Sequence, residues 1–155
     1  MSTAAQLGAH LRQVFSGGNW TSVNVRQTLG DISLEEAVRK QGSLNTIAAL
    51  TFHIHYYVAA VLDVLEGGPL NAQDKYSFDV PHLLRAAEWE TLRERAFTDA
   101  ERLAALIETF PDERLSDDFT DPKYGSYHRN FLGLIEHTHY HLGQIALLKK
   151  LHRGA

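Results

Sequence analysis

Residues 44–66 read LNTIAALTFHIHYYVAAVLDVLE and run directly into Gly67-Gly68-Pro69. The stretch holds no glycine or proline and is long enough for about six helical turns. Its apolar residues lie all round a helical axis rather than in one stripe, the pattern of a helix buried on most sides. Ser43 is placed to cap its start, and Gly-Gly-Pro ends it, because glycine frees the C-cap and proline cannot continue the hydrogen-bond ladder. This is the pattern of the central helix of an all-helical domain.

Downstream, a helix from about Arg85 to Phe110 is strongly charged on one side and stops at Pro111, so it is expected on the outside. The last helix, about His128 to His152, is apolar on more than one side and is the natural core partner of residues 44–66. Upstream, a first helix from about Thr3 to Phe15 ends at Ser16-Gly17-Gly18-Asn19. Residues Trp20 to Leu29 are expected to be an extended connection, and Ser33-Leu34-Glu35-Glu36 has the form of a cap opening one short helix. No strand pattern and no internal repeat stands out. The expected fold is therefore all-α, a four-helix bundle with a short extra helix before the second long one, as a single domain over residues 1–155. Two long connections, Leu70 to Pro81 and Asp112 to Tyr127, argue against a plain up-and-down bundle and allow crossovers. The second either crosses the end of the bundle or forms a lid.

A chain of 155 residues has the size of one ordinary domain. Its hydrophobic fraction of 44% and charged fraction of 22% are those of a folded globular protein. A formal net charge of -4 leaves no sequence-wide basic footprint for nucleic acid. With no cysteine, disulfides, a thiolate metal site and a protein-borne cysteine nucleophile are excluded. The N-terminal residues lack the pattern of a signal peptide, and no run of about 18 consecutive apolar residues occurs. A cytoplasmic protein without membrane contact is expected, in which the Asn19-Trp20-Thr21 sequon is chance.

Five of the nine histidines fall in two short stretches, Phe52-His53-Ile54-His55-Tyr56-Tyr57 and Glu136-His137-Thr138-His139-Tyr140-His141. At about 100° per residue, His137 and His141 are roughly 40° apart around the helix and one turn apart along it, so both imidazoles can point at one ion. His139 lies about 200° away and cannot join them. The face of His137 and His141 also carries Asn130, Leu134, Gln144 and Leu148, an inward stripe. On the earlier helix the stripe through His53 carries Ala49, Leu50, Tyr57, Ala60 and Val64, whereas His55 points elsewhere. Helix axes packed about 8–10 Å apart let His53 meet the pair from the opposite wall.

Three neutral nitrogen ligands would leave an open coordination position, the form of a catalytic or substrate-binding centre. Zinc suits such ligands best, and nickel, iron and copper also accept imidazole. Against this stands the plainer reading of buried histidines hydrogen-bonded to backbone or tyrosine. Gln144 and Asn130 are candidates to orient the imidazoles, or else bridge helices. Tyr57 is a candidate pocket wall or simple core packing. His55 and His139 are placed to meet each other or a partner copy. Asp117, Asp118 and Asp121 lack calcium-loop spacing and form a solvated turn. His10, His82 and His152 are expected at the surface.

The stretch His137-Thr138-His139-Tyr140-His141-Leu142-Gly143-Gln144-Ile145 resembles the HxxxHxGQI signature near the C-terminus of the DinB-like metalloprotein superfamily. His53 sits where that family has a single histidine on its second helix. Gly17-Gly18-Asn19-Trp20-Thr21 and Ser33-Leu34-Glu35-Glu36-Ala37 extend the similarity over nearly the whole chain. The resemblance implies an up-down-down-up four-helix bundle, often a homodimer, holding a divalent ion through His53, His137 and His141. Some relatives are thiol-dependent transferases or isomerases. The resemblance therefore implies a metal-dependent transferase that activates a low-molecular-weight thiol, with a metal-dependent hydrolase or a non-catalytic metal or small-molecule binder as alternatives. No catalytic residue can be assigned from the sequence.

Overall fold

The computed structural model describes residues 1–154, and these form six helices with no strand among them. In chain order they are α1 (Thr3–Ser16), α2 (Val25–Leu29), α3 (Leu34–Val38), α4 (Ile47–Leu65), α5 (Ala86–Glu108) and α6 (Tyr127–Arg153). Each long helix begins where a side chain or loop can satisfy its free N–H groups. Ser2 caps α1, Thr46 caps α4 and Ser126 caps α6, each hydroxyl accepting from a backbone N–H three residues on. The cap of α4 is thus Thr46 rather than Ser43, and the helix starts three residues later than its apolar run. At α3, Ser33 and Glu36 close the reciprocal capping box.

The expected extended stretch Trp20 to Leu29 is half helical. Asn24 accepts from Gln27 N at 2.8 Å and opens α2, whose Val25 and Leu29 are buried against the bundle. Five residues show too little periodicity to separate a helix turn from a strand.

Helix direction follows from cross-helix pairs. Thr3 and Ala4 donate to the Asp112 carboxylate just beyond the end of α5, while Arg12 bonds Glu101, so α1 and α5 are antiparallel. His55 meets Asp99 and Glu66 meets Arg102, so α4 runs parallel to α5. Val61 shares a cavity with Asn130 and Leu134, whereas Leu50 shares one with Leu148, so α6 is antiparallel to α4. The result is up-down-down-up, with α5 and α6 diagonal to each other. The long α4–α5 connection joins parallel helices and so runs the length of the bundle, and the long α5–α6 connection joins diagonal ones.

The charged helix α5 is less peripheral than its sequence suggests. It packs on both α1 and α4, and its other face buries Trp89, Leu92, Ala96, Phe97, Ala100, Leu103, Ala104 and Ile107. Small residues allow the close approach: a Cβ on Gly8 of α1 would stand 2.6 Å from the Ala104 carbonyl. The anticipated core pair, α4 with α6, is a looser seam than either of these. Residues 111–126 close the end of the bundle instead of forming a lid. Leu115 and Phe119 are buried there, and Tyr127 N and His128 N donate to Asp117 O and Leu115 O. Helix α4 is long and apolar enough to cross a membrane by length and composition, but 56% of that window is buried inside the bundle.

Candidate metal centre

The looser seam is where the histidines meet. Helix α4 supplies His53 and α6 supplies His137 and His141, and one ring nitrogen from each lies within 4.8 Å of the others. Ring centroids are 4.5 to 4.8 Å apart. His53 and His141 are each only 7% exposed, and His137 is half-buried.

The outer nitrogens decide what the inner ones can do. His53 Nδ1 lies 3.1 Å from the carbonyl of Ser77, which can only accept, so this nitrogen donates and leaves Nε2 as a bare lone pair. His141 Nδ1 donates to Gln144 Oε1 at 2.7 Å, with the same consequence. His137 Nε2 sits 3.0 Å from His53 Nε2, while its Nδ1 is buried without a partner. His137 Nδ1 is unpaired in either tautomer, and when it carries the proton two lone pairs also oppose each other, so both arrangements cost free energy. A cation between the rings would accept all three lone pairs. The observed 3.0 Å is near the roughly 3.3 Å edge expected for nitrogens about 2.0 Å from a tetrahedral ion. The donor set therefore fits a divalent metal ion.

Electrostatics point the same way. Burial, reinforced by the neighbouring His141 and His53, pushes the His137 pKa down to about 4. Burial also lowers His53, partly opposed by its bond to Ser77. Both rings are consequently neutral near pH 7 and offer lone pairs rather than protons.

The connection between α4 and α5 covers this cluster, which the sequence did not disclose. Phe78 stacks on His53 with centroids 3.8 Å apart and planes 8° apart. Tyr57 sets its ring edge-on to His53 and His137, and its hydroxyl donates to Asp74 at 2.8 Å. Tyr56 both donates to Gln73 O and accepts from Gln73 N. Residues 73–78 are thereby clamped over the histidine face. Beside them opens a groove of about 700 Å³, lined by His53, His137, Tyr57 and the first turns of α6.

Of the accessory candidates, Gln144 orients His141 and Tyr57 walls the groove. Asn130 lines the groove, but its amide donates to Tyr124 O and Ser126 O and so braces the start of α6, not a histidine. His55 and His139 do not meet. His55 bonds Asp99 of α5 at 2.7 Å, and His139 faces His10 of α1 with ring centroids 6.5 Å apart. Asp117, Asp118 and Asp121 are exposed, as are His10 and His82, while His152 is half-buried.

A helical bundle with a long connection between two parallel helices and an inward three-histidine cluster across one seam defines a class of proteins equipped to hold a metal ion. The chain belongs to the DinB superfamily, whose family model matches residues 18–145. No curated protein and no solved structure matches it.

Proposed function

We propose that His53, His137 and His141 hold one divalent ion, zinc before nickel or iron, and that the protein activates a small thiol for transfer to an electrophile. The observation that carries the metal reading is the convergence of one ring nitrogen from each histidine, with the outer nitrogens of His53 and His141 already committed to Ser77 and Gln144. Such an ion supplies Lewis acidity that favours the thiolate form of a bound thiol near neutral pH. The chain supplies the rest. Ser77 and Gln144 hold two imidazoles in register, and Phe78 and Tyr57 exclude water from one side.

A metal-dependent hydrolase is the second reading, and its base would come from one of two carboxylates near the histidines. Asp74, on the covering segment, is engaged by the Tyr57 hydroxyl, and Glu136 is exposed at the rim. With no cysteine in the chain, the sulfur nucleophile comes with a substrate. The homodimer is likewise a proposal, supported by an exposed row on one face of α6, Tyr140, Gly143, Leu147 and Leu151. Sedimentation of Leu147→Glu against the unaltered protein tests it.

Metal analysis of protein purified without a histidine tag is the first test. The expected result is near one ion per chain, lost in His141→Ala; a metal-free native protein would end the metal reading. Metal-dependent conjugation of a general electrophile across a panel of thiols is the second, and no rate above background with any thiol would end the transferase reading.

A further inference from the structure

The groove beside the histidines continues well past them. His53 and His137 close one end, and Arg129 and His128 stand at the other. Arg129 precedes His137 by eight residues, which places it about 12 Å along the α6 axis. Most arginines here are engaged by acids, Arg12 by Glu101 and Glu108 and Arg153 by Asp31 and Glu36. Among the described residues no carboxylate pairs with Arg129 and its guanidinium makes no hydrogen bond, while its backbone N–H donates to Ser126 Oγ. Its stem rests on the bare backbone of Gly125, where a Cβ would stand 2.6 Å from Arg129 Cδ. Gly125 has φ +76°, so a side chain there would be strained as well as in the way.

The middle of the groove is apolar, with Val61 from α4 and Leu132 and Gly133 from α6. A Cβ on Gly133 would meet nothing within 4 Å, so the groove passes over this residue. Glu136 lines the same groove next to His137. Its carboxylate offsets part of the charge of an ion held by the histidines, while Arg129 puts positive charge with no acid beside it at the other end.

We propose that this groove selects an elongated small molecule whose carboxylate is bound by Arg129, whose apolar middle lies over Val61, Leu132 and Gly133, and whose far end reaches the histidines. The carboxylate end stands on the groove geometry; only the donor end rests on the metal-and-thiol reading above. Arg129 is the better anchor of the two basic groups at that end, because a guanidinium is charged at every working pH and grips a carboxylate through two parallel bonds.

Calorimetric titration of the zinc-loaded protein with ω-mercaptooctanoate, octanoate and ω-mercaptooctanol tests this. A charge-assisted contact predicts that ω-mercaptooctanoate binds about tenfold or more tighter than ω-mercaptooctanol. Arg129→Gln should weaken both acids by that factor and leave the alcohol unchanged. Gly133→Leu, which suits a helix and whose Cβ meets no protein atom within 4 Å, should weaken all three probes with an undiminished melting temperature. Equal binding of acid and alcohol, acid binding indifferent to Arg129→Gln, or no binding of either acid would overturn the proposal. If octanoate binds as tightly as its thiol analogue and depends equally on Arg129, the thiol reading fails while the groove assignment stands. If the thiol alcohol matches the thiol acid, the groove assignment fails and the thiol reading stands.

Discussion

Two seams of the bundle, α1 against α5 and α4 against α6, are built on opposite principles. The first is dry and close. Gly8 lets α1 approach the backbone of α5 at Ala104, with Ala100, Leu103 and Ile107 buried along the same helix and Arg12, Glu101 and Glu108 at the rim. The second is held apart by three imidazole rings whose inner nitrogens find no acid or carbonyl to bond. Helix α4 carries both solutions two residues apart. His55 faces α5 and has Asp99 as a partner, whereas His53 faces α6 and keeps one nitrogen bare. Stability is thus concentrated on one side of the bundle, and unsatisfied donor capacity on the other.

Substitutions that touch one seam and spare the other can break this division. Leu103→Ala, at a fully buried site, should have the largest effect, about 3 kcal/mol lost in urea unfolding. The folded fraction should keep its metal content; coupled loss of metal would mean that the seams are not independent. Gln144→Leu should do the reverse. It removes the acceptor that orients His141 and is expected to weaken metal affinity about 10- to 100-fold. Urea stability without metal should fall by only about 1 kcal/mol, the cost of leaving His141 Nδ1 without its acceptor at a half-exposed site. Smaller again is Gly8→Ala. Alanine improves helix propensity by about 1 kcal/mol, but its Cβ meets backbone atoms that cannot yield unless the helices part. The net should be a loss of about 1 kcal/mol, and a gain would show that the close seam has slack.

The same division explains what the sequence disclosed. Long helices and their stops were legible because Gly67-Gly68-Pro69 and Pro111 act locally, whatever surrounds them. The three converging histidines were legible too, since helical phase alone puts His137 and His141 on one face and His139 on another. Position within the bundle was not. The charged face of α5 was visible, but how deeply its Ala96-Ala100-Ala104 side would be buried depends on Gly8, almost a hundred residues away. Asn130 shares the histidine face, yet its amide is taken by loop carbonyls that no periodicity reveals. Ser77 acts through its backbone carbonyl, a group every residue has, so nothing in the residue type marks its role at His53.

The smallest expected effect concerns how α6, the helix with the looser seam, is kept in place. Its C-terminal end is tied to α3 and the turn before it. Arg153 bonds Asp31 at 2.9 Å and Glu36 at 2.7 Å, and Lys149 bonds Asp31 at 2.5 Å. The Lys149 and Arg153 contacts hold Asp31 down at about 2, and Arg153, with the Ser33 backbone, holds Glu36 down at about 2. Both carboxyls are therefore more acidic folded than unfolded. Their contribution is complete above the ordinary carboxylate range and is lost as pH falls through it toward about 2. The contribution is small because the network lies at the surface, with the Asp31 side chain 61% exposed, where salt screens it. The melting temperature of Arg153→Gln should lie slightly below that of the unaltered protein near neutral pH, and the gap should close on acidification from about pH 5. A gap that stays constant to low pH would mean that Arg153 holds α6 through its packing or its bond to the Asp31 carbonyl. In that case the looser seam would be secured by contacts that acid does not touch.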